Sequence, residues 1–319
     1  LKEMLDDMEV PPNTKIFSCD AKSMYTNIPT EPALEVVGLY LRAHCNAKLA
    51  EALIDALTIV MKNNIVQFGD TFWKQISGTA MGISPAPPWA ILFFAIHELY
   101  FVEKWKESLI FWKRFIDDGL GLWKLHADTA TNNALWTEFQ SDINNFHGLE
   151  WDFTPLADSV DFMDMTLSIA NNKFDITIFE KPLNLYLYIS PSSAHPPEGV
   201  ATGLVFGMVL RIMKLCSRAC DAQRRIRVFS RRLLRRVYSK DQLTPLFTKA
   251  IENACQHFRR TPAELTALQD QKLVQVYRRV FFHLQNRSFH GQSRSKRPYW
   301  SEIIYYCGKK LFVFKDLSF

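Results

Sequence analysis

The sequence predicts an α+β fold: strands and helices mixed over residues 1–190, a mostly helical segment over 191–286 and a basic extension over 287–319. Short apolar runs of strand length recur up to about residue 180 and meet at the turn pairs Gly69-Asp70, Asp117-Asp118 and Asn171-Asn172. Between them lie longer stretches whose apolar residues repeat at helical spacing. After Val200 the strand signals disappear, and helical patterning runs to about Asn286.

Taken in order, Thr14 to Asp20 reads as a strand ending on a carboxylate. The segment from Tyr25 to Pro29 reads as a turn, and Thr30 as the N-cap of a helix with Glu31 and Pro32 in its first turn. Leu49 to Lys62 is an amphipathic helix with Leu53, Leu57, Ile59 and Val60 on or near its apolar face. Ile65 to Phe68 and Phe72 to Ile76 form a hairpin. Ser84 to Lys106 is helical and so apolar through its middle that burial is expected. Leu109 to Ile116 and Gly119 to Trp123 make a second hairpin, and Thr129 to His147 a helix. Leu149 to Thr154, Asp161 to Ile169 and Phe174 to Phe179 are the remaining strands.

With 48% hydrophobic and 22% charged residues, the composition is that of a globular protein. No apolar run approaches the roughly eighteen uncharged residues of a membrane span, and no signal peptide opens the chain. The first residue is Leu1, as expected of an excised or incomplete chain. Cys216, Cys220, Cys255 and His257 fit no standard zinc spacing; the six cysteines read as buried free thiols, which goes with a reducing compartment. The net charge of +5 is unevenly placed: Arg211 to Arg236 holds nine Arg and one Lys against the single acid Asp221. That density of like charge repels itself unless it has a partner, which favours a polyanion-binding face over a plain solvated helix surface.

Three features occur in sequence. Asp20 ends a strand, with Tyr25 five residues later. The small-residue loop from Ser77 to Gly82 leads through Ser84 and Pro85 into the apolar helix. Asp117 and Asp118 follow Phe115-Ile116 between two apolar strands. Each has an ordinary reading as a cap, a loop or a turn. Together they suit nucleotidyl transfer, in which two divalent ions roughly 3.5–4 Å apart clamp the attacking and leaving oxygens. Magnesium takes hard oxygen ligands, and clustered carboxylates repel until a cation arrives. Gly78 and Gly82 let backbone approach a base pair closely.

These residues resemble the palm of Penelope-like retroelement reverse transcriptases. Cys19 to Pro29 is similar to that family's motif A, Gly78 to Gly82 to motif B, and Arg114 to Asp118 to motif C. Asp161 to Met165 resembles the motif after the palm, while Glu180-Lys181-Pro182, Ser193 to Pro196 and Arg211 to Ser217 resemble the early thumb. The resemblance implies a right-hand polymerase palm, an antiparallel sheet backed by helices, followed by a mostly helical thumb, and RNA-directed DNA synthesis from an RNA template, a DNA primer and dNTPs. It implies that Asp20, Asp117 and Asp118, with the carbonyl of Ala21, bind two Mg2+ ions, for which Mn2+ can substitute. Tyr25 would act as a steric gate against a 2′-hydroxyl, beside Gly78, Thr79 and Gly82 in the nucleotide pocket. Arg211, Lys214, Arg218, Arg224, Arg225, Arg231 and Arg232 would grip the nucleic-acid backbone on the thumb. A nuclear or cytoplasmic ribonucleoprotein location goes with it, and no membrane partner.

The chain departs from the family's pattern at Ile83, where a small polar residue is usual, and at Met163, where Leu is usual. Only 19 residues precede Asp20, so the fingers are expected to be largely absent. Two other functions fit the same features. An RNA-dependent RNA polymerase shares the acids but would favour a polar residue at position 25, and a non-catalytic nucleic-acid-binding remnant would need only the basic segment.

Overall fold

The computed structural model describes residues 1–194, 197–258, 304–307 and 310–313. The chain divides into two compact units, Leu1–Phe174 and Asp175–Phe319.

The first unit opens with α1 (Lys2–Asp6), β1 (Thr14–Ala21) and α2 (Met24–Asn27), a single helical turn where the sequence predicts a non-helical one. In α3 (Thr30–His44) Pro29, not Thr30, takes the capping position; the Thr30 hydroxyl donates instead to the carbonyl of Gly78 at 3.2 Å. α4 (Ala47–Lys62) is capped by Asn46, whose side chain accepts from the Leu49 amide. It packs through Ala50, Ile54, Leu57 and Met61, while the expected Leu53, Ile59 and Val60 are exposed. At about 100° per residue the packed positions share one stripe and the exposed ones fall outside it.

β2 (Ile65–Phe68) and β3 (Thr71–Lys74) form a hairpin exposed on both faces. α5 (Ala86–Lys104) buries Trp89, Ala90, Phe93, Phe94, His97 and Phe101 but leaves Ile91, Leu99 and Tyr100 exposed. The burial expected through its middle is found on one face, because a helix backing a sheet covers it with one face only. β4 (Leu109–Phe115), β5 (Asp118–Lys124), α6 (Thr129–Asn144) and β6 (Trp151–Phe153) follow. The stretch expected as one strand from Asp161 to Ile169 is two, β7 (Ser159–Phe162) and β8 (Met165–Ala170). Left-handed Met163 (φ 52°) and Asp164 turn the chain between them.

The antiparallel sheet has the order β4-β5-β1-β6. Period-2 alternation assigns its faces. Phe17, Cys19 and Ala21 belong to the core with the aromatic residues of α5 and α6; Ser18 and Asp20 face the other way. Phe17 is fully buried and meets the rings of Trp112, Trp136, Phe139 and Phe153 at centroid distances of 6.2, 4.8, 5.7 and 6.2 Å. It lies over its cross-strand partner Gly121, where a Cβ would come within 2.2 Å of the Phe17 ring.

β9 (Lys173–Ile178) carries the chain from one unit into the next. In the second unit α7 (Pro197–Leu215), α8 (Ala219–Arg235) and α9 (Lys240–Phe258) share a core that includes Val205, Val209, Ile212, Ile226, Phe229, Leu233, Leu243, Phe247 and Ile251. Two strands also occur after Val200, where none was expected: β10 (Ile304–Cys307) and β11 (Lys310–Val313) pair antiparallel. Their Ile, Tyr, Phe and Val content suits a pleated surface. The helical patterning expected over 259–286 and the motif positions His195 and Pro196 lie outside the described residues.

Gly121→Ala is expected to destabilise the protein by roughly 1–3 kcal/mol, because the Phe17 ring is held on several sides and has little room to yield. Urea unfolding followed by tryptophan fluorescence measures this; an unchanged midpoint would show that the ring yields freely.

Candidate active site

Register brings the acids together. Asp20 of β1 stands directly opposite Asp118 of β5 on one side and Asp152 of β6 on the other. Cross-strand partners project from the same face, so three carboxylates lie in a row on the face turned away from the helices. Asp152, which the sequence reading missed, sits in an ordinary strand pattern, and only pairing with β1 reveals it. Lys22 offsets part of this charge through ion pairs to Asp152 (3.0 Å) and Glu150 (3.3 Å).

The hairpin tip lies one residue earlier than the sequence suggests. Asp118 is already in β5, and Ile116 and Asp117 form the turn. Ile116 is left-handed at φ 56°, at a position where two-residue hairpin turns normally take glycine. For a β-branched residue this costs on the order of 1–3 kcal/mol, a strain that tends to cluster at functional sites. The Ala21 amide donates to the Asp117 carbonyl at 2.9 Å, tying the tip to the end of β1.

The loop from Ser77 to Gly82 is docked onto the segment after Asp20. The buried Thr79 amide donates to the Tyr25 carbonyl at 2.6 Å. Gly78 has φ 81°, and a Cβ there would lie 2.8 Å from the Thr26 carbonyl oxygen, so no other residue fits without moving backbone. Gly82 (φ 94°) is exposed. Tyr25 is half-buried; burial, then the charge of Asp117, raises its phenol above the ordinary value. The structure thus gathers Asp20, Ala21, Asp117, Asp118, Tyr25, Gly78 and Thr79 around one sheet end.

Burial, then the charges of Asp117 and Asp152, holds the Asp20 carboxyl above its ordinary value of 3.8. Beside it a cleft of about 230 Å³ runs between Asp20, Asp118 and Asp152 and the β7–β8 turn at Phe162 and Met163. Among the described residues no group of three or more His, Cys, Asp or Glu side chains stands ready as a metal cluster. Magnesium does not need one: it binds through one or two carboxylates and completes its shell with water and substrate phosphate. The hard-oxygen donors and the repulsion around Asp20 suit such a cation.

In the second unit the basic segment divides. Arg232 makes a two-pronged pair with Glu180 at 2.7 and 2.9 Å and lies 3.5 Å over the Tyr186 ring. Arg225 also reaches Glu180, at 3.0 Å. Burial pushes the Glu180 carboxyl up, but the Arg232 hydrogen bond and the charges of Arg232, Arg225 and Arg224 leave it below its ordinary value. Arg218 pairs with Asp175 and Asp221, and Arg224 with Asp221. Part of the charge expected to need an external partner is therefore balanced internally. Exposed all the same are Arg211 and Lys214 of α7, Arg218 before α8, and Arg224 and Arg231 of α8.

Among the cysteines expected to be buried, Cys19 and Cys216 are, Cys45 is half-buried, and Cys220 is exposed because it falls outside the apolar face of α8. The side chains of Cys255 and His257 lie outside the described residues. No helix among the described residues is long and apolar enough to cross a membrane.

An antiparallel sheet backed by helices, with acids on its open face and a helical unit after it, is the palm-and-thumb fold of nucleic-acid polymerases. Two solved structures carry the likeness. One is the telomerase of Candida albicans in complex with a TWJ fragment of telomeric RNA, with a TM-score of 0.52 and 11% identity over 87% of this chain and 51% of that one. The other is the RNA-dependent RNA polymerase of a human picobirnavirus, with a TM-score of 0.50 and 10% identity over 90% of this chain and 53% of that one. The chain spans about half the length of these polymerases. No family model matches it, and no curated protein matches it in sequence.

Asp20→Asn is expected to raise the melting temperature in metal-free buffer at neutral pH. A carboxyl raised on folding disfavours its ionised form, so the penalty is present above the folded pKa and disappears as pH falls below about 3.8. The gain should therefore be seen at pH 7 and vanish toward pH 3 in a pH series of melting curves. In the second unit, Arg232→Ala should cost roughly 1–3 kcal/mol by leaving Glu180 without its main partner, whereas exposed Arg231→Ala should leave stability unchanged. Denaturant titration of the two variants distinguishes them.

Proposed function

We propose that this chain carries the palm and thumb of an RNA-directed DNA polymerase of retroelement type, which extends a primer 3′-hydroxyl with dNTPs on an RNA template. The observation that carries this reading is the register Asp118–Asp20–Asp152, with Asp117 tied to Ala21 and Tyr25 beside Asp117. The likeness to a telomerase is consistent with it.

In this reading Asp20 and Asp117, assisted by Asp118 and the Ala21 carbonyl, would hold two magnesium ions. The ions would supply Lewis-acid stabilisation of the attacking 3′-oxygen and of the leaving pyrophosphate. The open sheet face and the cleft toward Phe162 and Met163 would receive the primer end. Gly78 and Thr79, fixed against Tyr25 and Thr26, would back the nascent base pair. The Tyr25 ring would exclude a 2′-hydroxyl. Arg211, Lys214 and Arg231, exposed in the second unit, would meet phosphates, while Arg232, Arg225, Arg218 and Arg224 would also hold the unit together.

Primer extension on an RNA template with magnesium tests the reading. The chain is expected to incorporate dNTPs, the Asp117→Asn/Asp118→Asn variant to lose activity by several orders of magnitude, and Tyr25→Ala to gain ribonucleotide use. Incorporation of ribonucleotides alone by the unmodified chain would favour the RNA polymerase reading. Salt-sensitive binding without extension would favour a binding remnant.

A further inference from the structure

The aspartate turn is braced from beneath by a largely buried arginine paired with a part-buried glutamate. Arg114 of β4 has a side chain only 4% exposed, and its partner Glu98 of α5 is 17% exposed. The guanidinium donates to Glu98 through Nε at 2.7 Å and Nη2 at 2.9 Å, to the Ile91 carbonyl at 3.0 Å, and through Nη1 to the Ile116 carbonyl at 2.6 Å. Trp112 Nε1 donates to the same carboxylate at 2.7 Å, and Phe94 lies 5.0 Å beneath the guanidinium.

We propose that Arg114 and Glu98 are positioning residues that hold Ile116 in its left-handed conformation and so aim Asp117 and Asp118 at Asp20. The proposal rests on the metal-binding reading above. Buried ion pairs are often replaceable by apolar side chains without loss of stability, so stability alone does not account for this one. Its geometry does. The carbonyls of Ile116 and Asp117 are successive, and they are gripped from two sides, by Arg114 and by the Ala21 amide. Only a planar fork can meet Glu98 with two donors while a third reaches Ile116; a lysine ammonium cannot. At 4% exposure Arg114 does not reach substrate, so it acts through the turn.

The test uses Arg114→Met/Glu98→Leu, which removes both charges together, and Arg114→Lys, which keeps the charge and loses the fork. Metal-free melting temperature reports folding, and the free-Mn2+ EPR signal reports metal binding without turnover. The half-saturating Mn2+ concentration is expected to rise roughly ten-fold or more in both variants, the size of loss typical when groups that orient metal ligands are removed. The double variant should melt within a few degrees of the unmodified chain. A folded double variant that binds Mn2+ normally overturns the proposal. So does unfolding of both variants, which would make the network purely structural. So does an unmodified chain with no Mn2+ site that Asp117→Asn removes. Failure of the polymerase reading looks different: Mn2+ binding weakens as expected in the variants, yet the unmodified chain extends no primer.

Discussion

A partly desolvated carboxylate, Asp20, set among other carboxylates is the constraint around which the site of the first unit is arranged. Antiparallel register sets Asp118, Asp20 and Asp152 side by side on one sheet face. Burial, then the charges of Asp117 and Asp152, raises the Asp20 carboxyl, which is unfavourable for folding by itself. The opposite face offsets it. There Phe17, Cys19 and Ala21 join a core of aromatic rings from α5 and α6, with Phe17 seated directly over Gly121. One strand thus carries core residues on one face and a raised carboxyl on the other, at successive positions of the pleat.

Backbone placement is as tightly specified as charge. Gly78 sits against the Thr26 carbonyl, Thr79 bonds to Tyr25, and Ala21 bonds to Asp117, so three sequence-distant segments meet through main-chain groups. Ile116 keeps a conformation a β-branched residue ordinarily avoids, between Arg114 on one side and β1 on the other. Such strain persists where surrounding contacts over-determine it.

The candidate site was legible wherever its signal is local. Asp20 at a strand end, the glycines before α5 and the paired acids after apolar β4 can each be read within a few residues. What escaped depends on distant partners. Asp152 matters only through pairing with β1, and the role of Glu180 only through Arg232, 52 positions away. The buried face of α4 was misassigned because Leu53, Ile59 and Val60 are as apolar as the residues that pack. The break between β7 and β8 was missed because Met163 and Asp164 interrupt an otherwise continuous strand pattern without a glycine.

By itself the sequence determined the α+β class, most of the strands and helices of the first unit in their order, and the acids and glycines set at their ends. These follow from periodicity and turn chemistry, which act over a few residues. Tertiary structure decided which acids become neighbours, which arginines pair with Glu180, Asp175 and Asp221, and how the Ile116 turn is held. Those outcomes depend on strand register and long-range ion pairs, and neither is set by residues adjacent in the chain.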